Sequence, residues 1–365
     1  MTCIRRFTTG LKAFAVSAAA VALLAAPAAA QTFPDPSDEA KLLELAKQEG
    51  KLVWYISAPL EPMKAVATEF EKAYPGVKVE VLRIVGPQQY QRFMQETQAG
   101  QHTADLVSIS DRPLMESLAE EKHLASWKVP SHDRLPAQAR LGTAAYAQYV
   151  SDSSIVYNAN KVTPEEVALL ASDWKAILDP RFKGRFAVTT QKCGTCYLAL
   201  HMFMDPKLKG TYGPDFVRKL AAQKPVVYSD VLVVLDRVIA GEVDFAYWSF
   251  ENGAMARWRQ GAPIRWVRPE PTPVAALVFQ GVSSHAPHPN AARLFQNWIT
   301  SEAGLAAFQA RYGSAPLLAG SEDLRDVRKE PWYKPITKVY EPDYDRWAAQ
   351  YDKDMGFWIN LIRAQ

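Results

Sequence analysis

Apolar residues along the chain follow two periods in alternation, and this alternation predicts the fold class. The run at 52–56, LVWYI, predicts a short buried strand, and residues 77–81 alternate valine with charged side chains, as in a half-buried strand. Between these strands, the apolar residues of 63–74 recur at helical spacing. A third strand, ADLVSIS, is predicted at 104–110 after a helix at 88–99. Strands that alternate with helices of this length are typical of an α/β protein with parallel sheets.

The same alternation continues through the second half of the chain, and no internal repeat interrupts it. Strands are predicted at 148–157, 186–190, 226–228, 243–250, 263–267 and 274–282. Helices are predicted at 172–179, 197–204, 214–223, 231–239, 289–310 and 343–364.

The stretch RFAVTTQKCGTCYLAL, residues 185–200, changes from a strand to a helix through a short polar turn. A helix that begins at such a turn leaves backbone N–H groups unpaired, and these donors together with the helix dipole favour an anion. Lys192 adds a full positive charge beside Gln191, Gly194 and Thr195. The turn therefore predicts a contact to a small ligand, and the alternative is an ordinary helix start capped by Thr195.

Three predicted strands end in polar residues at the place where an α/β sheet binds ligands. These ends are 55–57, 108–111 and 189–195, and each carries hydroxyl groups. Ligands of open α/β sheets lie beyond the carboxyl ends of the strands. A hydroxyl both donates and accepts hydrogen bonds, so these ends suit an anion or a polar organic molecule.

The first thirty residues have the pattern of a secretory signal peptide. Arg5, Arg6 and Lys12 precede the apolar run 13–26, and Ala28-Ala29-Ala30 forms an A-x-A cleavage site before Gln31. We expect cleavage after Ala30 and a soluble mature chain in the periplasm, exported by the general secretory route or through the twin-arginine pair Arg5-Arg6.

The charge balance excludes a basic nucleic-acid-binding protein. The sequence carries 42 Lys and Arg against 39 Asp and Glu, a formal net charge of +3. Since the signal contains three basic residues and no acidic one, its removal leaves a formally neutral chain.

The cysteines that remain after the signal form one pair, Cys193 and Cys196, and three chemical states are open to it. Cys3 is lost with the signal, which leaves Cys193 and Cys196 in the motif CGTC at the start of the central helix. In an oxidising compartment this pair forms a local disulfide. The alternatives are two free thiols, or redox or metal chemistry, because C-x-x-C at a helix start is also the pattern of thiol oxidoreductases.

Several stretches resemble the extracellular solute-binding proteins of bacterial ABC importers, in the family 1 branch that includes ferric-iron and small-anion binders. The resemblance covers nearly the whole mature chain, and the order and spacing of the segments are its most specific feature. The matching stretches are LVWYISAPLEPMKAVATEFEKAYPGVKVEV, DWKAILDPRFKGRFAV, KLAAQKPVVYSD with VIAGEVDFAYWS, GAPIRWVRPEPTPV and APHPNAARLFQNWITSEAGLAAFQ.

The resemblance implies a two-lobed, type II periplasmic binding protein fold, in which each lobe is a mainly parallel sheet flanked by helices. Lobe one is then expected at 31–150 plus 268–365 and lobe two at 151–267, with two hinge connectors at 149–154 and 266–273. Such lobes close on a ligand by a hinge motion. The family further implies a monomer that has no cofactor or enzymatic activity and delivers a small solute to an inner-membrane permease.

The ligand that these residues favour is a small organic anion or a zwitterion. The turn with Lys192 suits a carboxylate or phosphonate, serine hydroxyls add hydrogen bonds, aromatic rings stack on an organic body, and Asp111, Asp230 and Glu251 suit an amine. The predicted ligand-binding residues are Tyr55, Ser57, Ser110, Asp111, Gln191, Lys192, Gly194, Thr195, Tyr228, Ser229, Tyr247, Trp248 and Glu251.

Ferric iron is the main alternative ligand, and Tyr55, Tyr247 and Glu251 are its candidate oxygen donors. Iron-binding members of the family carry a tyrosine pair at positions that correspond here to Glu251 and Asn252, so the family's phenolate pair is absent from those positions. A periplasmic thiol oxidoreductase that uses CGTC is a more distant alternative. A serine hydrolase is not expected, because the sequence has no G-x-S-x-G motif.

Overall fold

Two mixed β-sheets, each packed against helices, build the part of the chain that the computed structural model describes. The described residues are 33–84, 86–318 and 320–364, apart from the side chains at 276 and 277, and those from Pro34 onward form one compact unit. The predicted signal peptide lies outside the described residues. The strands are β1 (Lys51–Ile56), β2 (Lys78–Arg83), β3 (Leu106–Ile109), β4 (Arg140–Leu141), β5 (Ala145–Asp152), β6 (Ser154–Asn158), β7 (Phe186–Thr189), β8 (Val226–Tyr228), β9 (Phe245–Ser249), β10 (Ile264–Val267), β11 (Thr272–Val282) and β12 (Val339–Tyr340).

Most helices lie between these strands where the apolar periodicity predicts them, but α5 and α9 were not predicted. They are α1 (Glu39–Glu49), α2 (Leu60–Ala73), α3 (Gly86–Gln98), α4 (Arg112–Glu120), α5 (Pro164–Ser172), α6 (Gly194–Phe203), α7 (Pro214–Ala222), α8 (Val231–Ala240), α9 (Glu251–Trp258), α10 (Pro289–Ile299), α11 (Glu302–Tyr312) and α12 (Tyr344–Arg363).

The first sheet has the strand order β2-β1-β3-β11-β5-β4, and β12 pairs with the start of β11. β1 is parallel to β2 and β3, whereas β11 is antiparallel to β3 and β5. The second sheet has the order β10-β6-β9-β7-β8 and is parallel only between β7 and its neighbours β8 and β9. The predicted two-lobed α/β fold is therefore confirmed, but the sheets are mixed rather than mainly parallel, because the returning strands β6, β10 and β11 run against their neighbours.

The chain passes between the two sheets at short extended connections. It leaves the first sheet at Ser153, between β5 and β6, and returns through 268–271, between β10 and β11. Ser153 is fully buried, and its backbone N–H donates to the carbonyl of Pro273 at 2.8 Å, whereas Glu270 of the return connection is exposed. The two crossovers therefore lie against each other and form a narrow waist between the sheets.

The carboxyl-terminal segment passes across both sheets, which the sequence did not predict. Val327 packs into the apolar core under the second sheet, and β12 then pairs with β11 of the first sheet. α12 continues from there and packs against α6 and α7, although the predicted lobe boundaries put it in lobe one. Its buried residues recur at helical spacing and meet an α6 that is buried on all sides: Trp347, Tyr351, Met355, Trp358 and Ile362.

Two helix predictions are wrong for local reasons. The single helix predicted at 289–310 is broken into α10 and α11, because the Ser301 hydroxyl accepts the N–H of Gly304 and caps a new helix. Gly304 permits the tight approach, since a Cβ there would lie 2.2 Å from the carbonyl oxygen of Trp298. The helix predicted at 172–179 is a short 3₁₀ turn, Trp174–Leu178, after the end of α5.

Candidate functional site

The carboxyl ends of six strands, three from each sheet, face one cleft. β1, β2 and β3 end there from the first sheet, and β7, β8 and β9 end there from the second. The cleft is open to solvent, and the empty space within it, including the part continuous with solvent, is about 520 Å³. It is lined by Ser57, Ala58, Pro59, Arg83, Gly86, Ser110, Tyr149, Gln191, Cys193, Thr195, Asp230, Val231, Leu232, Phe250 and Tyr312.

Five helices begin at residues that line this cleft. α2 follows Pro59, α3 begins at Gly86, α6 follows Cys193, α8 follows Asp230 and α9 follows Phe250. This convergence follows from the fold, because a helix that comes directly after a strand starts at that strand's carboxyl end. Each helix start carries a partial positive charge, so the cleft favours a negatively charged ligand.

The start of α6 keeps free donors. Cys193 rather than Thr195 is the N-cap residue, and its sulfur accepts the N–H of Cys196 at 3.1 Å. The two cysteines are joined by a disulfide bond. Among the described residues, nothing accepts a hydrogen bond from the backbone N–H groups of Gly194 and Thr195. These two donors are at the position where the sequence predicts a ligand contact.

Gln191, also predicted to bind ligand, is used in part by the protein itself. Its side-chain oxygen accepts the N–H of Val231 at 2.9 Å and so caps α8 together with Asp230, which accepts the N–H of Leu232 at 2.7 Å. The start of α8 is therefore satisfied by protein groups, in contrast to that of α6. The side-chain amide NH₂ of Gln191 and its place in the cleft wall still permit a ligand contact.

Arg83 is the positively charged side chain of the cleft wall, and sequence reasoning missed it. It ends β2, and its Nε is buried and has no hydrogen-bond partner among the described residues. A buried donor without a partner is costly, so such groups are usually satisfied by water or by a ligand. The signal was present in the sequence, because Arg83 follows the alternating strand 77–81 at the same edge of the sheet as the other polar strand ends.

Two tyrosines form the floor of the cleft on the side of the first sheet. The rings of Tyr149 and Tyr312 lie 5.1 Å apart, edge to face, and both residues are buried. Burial raises the pKa of Tyr312 to about 12 and that of Tyr149 well above its usual value. Both phenols are therefore neutral near pH 7, and they offer hydroxyl groups and ring faces rather than phenolate charges.

The three residues proposed for iron do not come together. The Tyr55 hydroxyl donates to the carboxylate of Glu96 at 3.0 Å, and the Tyr247 hydroxyl donates to the carbonyl of Trp174 at 2.6 Å. The Glu251 carboxylate lies 3.0 Å from Arg268 and 2.9 Å from Arg325. None of the three lines the cleft. Among the described residues, no group of three or more His, Cys, Asp or Glu side chains is arranged to hold a metal ion.

Other predicted residues lie beside the cleft, in contacts within the protein. Lys192 pairs with Asp352 of α12 at 2.7 Å. Asp111 is buried near Tyr351, and burial raises its pKa to about 6. Trp248 packs 4.7 Å from Trp358. Tyr228 packs on the core under the second sheet, and neither Tyr228 nor Ser229 is among the residues that line the cleft. Of the predicted residues, the structure brings together Ser57, Ser110, Gln191 and Thr195, with the Gly194 amide beside them.

Comparisons with known structures place the fold. The chain is similar to iron-bound HitA from Pseudomonas aeruginosa (17% identity, TM-score 0.68, 85% of this chain and 99% of that chain covered). It is also similar to the substrate-binding protein of an ABC transporter from Agrobacterium tumefaciens (19% identity, TM-score 0.70, 86% and 94% covered). A third similar structure is the periplasmic binding protein AfuA from Actinobacillus pleuropneumoniae with fructose-6-phosphate bound (19% identity, TM-score 0.68, 87% and 100% covered). Because the identities are low, these structures establish the fold alone.

The sequence itself identifies the family. The model of the family described as "Bacterial extracellular solute-binding protein" matches residues 52–313, and no curated protein matches the chain. Among the described residues, no helix has both the length and the apolar character needed to cross a membrane. Members of this family are transport binding proteins rather than enzymes. The chain therefore belongs to the bacterial extracellular solute-binding proteins, the solute-binding components of ABC transporters.

Proposed function

We propose that this protein captures a small organic anion in the cleft between the two sheets and delivers it to an ABC permease. One observation carries the proposal: Thr195 and Arg83 line the same cleft, Gly194 lies between the lining residues Cys193 and Thr195, and neither the two backbone N–H groups nor the buried Nε of Arg83 has a partner among the described residues. Together they offer one full positive charge and several N–H groups to a single ligand. A carboxylate, phosphate or phosphonate group is the chemistry that satisfies them.

The acidic residues of the region argue against a cationic or zwitterionic ligand. Glu251 is held by two arginines, and Asp111 lies buried outside the cleft wall. Asp230 does line the cleft, but one of its oxygens caps α8. Among the described residues that line the cleft, Asp230 is thus the one carboxylate, against Arg83 and five helix starts. The balance of charge favours a net negative solute whose organic body packs on Phe250, Tyr149 and Tyr312.

Ferric iron remains a second candidate because two tyrosines, Tyr149 and Tyr312, do lie side by side in the cleft. They are not the tyrosines that the sequence suggested. Iron binding requires phenolates, and burial raises the pKa of both phenols. Arg83 adds a positive charge that opposes a bare cation. Iron therefore fits this cleft only when it arrives with an anionic chelator, and binding of that complex would be seen as a visible absorption band.

The remaining parts of the proposal concern the mature protein. We infer export to the periplasm with cleavage after Ala30, and a monomer whose lobes, 31–150 with 268–365 and 151–267, move about the two crossovers. We infer no enzymatic activity, and we place the chain in the branch that includes ferric-iron and small-anion binders.

The disulfide does not argue for a thiol oxidoreductase, because Cys193 faces a cleft whose other walls are helix starts and Arg83.

A thermal-shift screen tests the ligand class. The mature protein is mixed with phosphate, citrate, fructose 6-phosphate, amino acids, polyamines, ferric ion and ferric citrate. A ligand at a concentration 100 times its Kd stabilises the folded state by about 2.7 kcal/mol, which is readily seen as a higher Tm. We expect a shift from at least one organic anion and none from the polyamines. A shift confined to the ferric samples, with a visible absorption band, would overturn the proposal.

Two arginine variants, one in the cleft and one outside it, test the position of the anion. Arg83→Gln removes the charge in the cleft, and Arg134→Gln removes an exposed arginine that pairs with Glu302 far along the chain. We expect the Arg83 variant to bind the selected anion at least about tenfold more weakly, because hydrogen bonds to charged groups contribute about 1.5–3 kcal/mol. The Arg134 variant should bind like the wild type. Equal affinity in all three proteins would contradict the assigned position of the anion.

A further inference from the structure

We propose that the Cys193–Cys196 disulfide is a redox gate on the anion cleft: the oxidised protein binds the anion, and reduction places a Cys193 thiolate beside the anion's position. This inference rests on the proposed anion site and adds a condition under which the site is switched off. It assigns a role to the one motif, CGTC, that solute capture by itself does not require.

The geometry puts the sulfur of Cys193 at the site itself. Cys193 lines the cleft and is the N-cap residue of α6, directly before the free N–H groups of Gly194 and Thr195. Its sulfur already accepts the N–H of Cys196 at 3.1 Å. A negative charge on this sulfur would therefore lie at the same helix start as an anion bound to the Gly194 and Thr195 N–H groups, and would oppose that anion.

The two cysteines differ in their surroundings. Cys193 is only partly buried, whereas Cys196 is 3% exposed and belongs to the apolar core under the second sheet. A thiol at a helix start near a positive charge has a lowered pKa, and a thiol buried among apolar groups has a raised one. After reduction, Cys193 is thus the thiolate and Cys196 keeps its proton.

The reduction balances with a dithiol as the reductant. A thiolate of the reductant attacks the accessible Cys193 sulfur, the S–S bond breaks, and Cys196 leaves with the electron pair and takes up a proton. The second thiol of the reductant then attacks the reductant's first sulfur, which is bonded to Cys193 in the mixed disulfide, and Cys193 is released as a thiolate. The protein gains two electrons and the reductant becomes a disulfide.

The consequence is a change of charge in the cleft without a change of fold. In the oxidised protein the sulfur of Cys193 is neutral, and the helix start and Arg83 face the ligand, with Asp230 as the carboxylate of the cleft lining. In the reduced protein the thiolate neutralises the helix start and repels an incoming anion. We expect the reduced protein to bind the anion at least about tenfold more weakly above the pKa of the Cys193 thiol, and the loss to disappear below that pKa.

The test compares affinity in the two redox states across pH. Phosphate, citrate and fructose 6-phosphate are titrated by calorimetry into oxidised protein and into protein reduced with dithiothreitol, between pH 5 and 9. The variant with Cys193→Ser and Cys196→Ser has no thiol and serves as the control. We expect the reduced wild type alone to lose affinity in a step as pH rises, and the double variant to bind equally with and without reductant.

The alternative that the disulfide merely stiffens the turn predicts a different pattern. In that case the double serine variant and the reduced wild type weaken together, by the same factor at every pH, and the gate is refuted. Oxidised and fully reduced wild type with equal affinity at pH 8.5 would refute it as well.

A second measurement does not depend on the anion. The rate at which iodoacetamide alkylates Cys193 in reduced wild-type protein is followed against pH, with peptide mass analysis to assign the site. We expect a pKa clearly below the ordinary thiol value of about 8.5 and slower alkylation in the presence of phosphate. A value at or above 8.5 overturns the gate. If no anion shifts even the oxidised protein, the proposed function fails, and this profile still decides whether the thiolate forms.

Discussion

Two neighbouring regions of the molecule differ in how their polar groups are paired: the charges at the waist pair with one another, whereas the cleft keeps donors without a protein partner. At the waist, the crossover charge cluster consists of Asp152, Glu251, Arg268 and Arg325, all nearly fully buried. Each member has an opposite charge within 3.4 Å. The cleft is close by, since Phe250, the residue before Glu251, lines it. There, Arg83 and the start of α6 keep N–H donors that have no acceptor among the described residues. The waist uses its charges for structure, and the cleft keeps its donors available.

This difference shows why residue type alone is a poor guide to the binding site. Glu251 and Lys192 have the right chemistry for a ligand and lie at the right strand ends, yet each is paired with the protein itself. The cation of the cleft lining, Arg83, instead has an Nε without a partner among the described residues, and pairing is a property of the folded chain. The predictions below test the two regions against each other, from the largest expected effect to the smallest.

Removing the charge of Glu251 should weaken the whole fold. Glu251→Gln leaves Arg268 and Arg325 buried with one carboxylate fewer, and breaking a buried ion pair typically costs 3–5 kcal/mol. We expect a loss of about 3 kcal/mol, since Arg268 keeps Asp152 and Arg325 keeps Asp323. Urea denaturation measures it. Glu302→Gln, which removes an exposed partner of Arg134, should cost less than about 1 kcal/mol. Equal losses in both variants would contradict the assignment of the cluster.

Asp111 should lower stability in a pH-dependent manner. Burial raises its pKa from 3.8 to about 6, so the folded protein retains a proton that the unfolded chain has lost. The stability associated with Asp111 is therefore fully present below pH 3.8, falls as pH rises to about 6, and stays constant above that. We expect Asp111→Asn to be more stable than the wild type by about 2 kcal/mol at pH 7.5, with the gap closing towards pH 4.

Urea denaturation of both proteins at several pH values between 4 and 7.5 checks this prediction. The neighbouring groups that act on Asp111 come from α12 and from the turn before α6: the charge of Asp352 raises its pKa, whereas the Tyr351 hydroxyl and the charge of Lys192 lower it. A stability gap that is the same at pH 4.5 and pH 7.5 would show that the carboxyl is not perturbed.

Replacing Lys192 should have the smallest effect on anion affinity, although its position in the turn made it a candidate ligand-binding residue in the sequence. It is largely exposed and pairs with Asp352, and exposed ion pairs contribute about 0–1 kcal/mol. We expect Lys192→Ala to change the affinity for the anion less than about twofold, against at least tenfold for Arg83→Gln. Calorimetric titration of both variants decides it. A larger loss in the Lys192 variant would reverse the assignment of the two cations.

The sequence predicted the fold and the edge of the sheet that forms the cleft, because both follow from local patterns. Parallel strands that alternate with helices present their carboxyl ends together, so Ser57, Ser110 and Thr195 meet although they come from distant parts of the chain. The course of α12 was not predictable in the same way. Its amphipathic pattern shows that one face is buried but does not show that α6 and α7 cover it.

The site was predicted only in part, since several of its members depend on long-range packing. Tyr149 lies in the middle of β5 and Tyr312 ends α11, and only the folded chain puts their rings 5.1 Å apart in the cleft. Arg83 was accessible to sequence reasoning, because the same rule that selected the other strand ends applies to β2. Tyr55 shows the converse: it lies in the right strand, but its hydroxyl points to Glu96.

A crystal structure with the strongest anion from the thermal-shift screen tests the central claim most directly. We predict that the anion lies between the two sheets, with its oxygens within hydrogen-bond distance of the Gly194 and Thr195 N–H groups and of the Arg83 guanidinium. An anion bound outside this cleft, or a cleft in which Tyr149 and Tyr312 coordinate a metal ion while Arg83 turns away, would contradict the account.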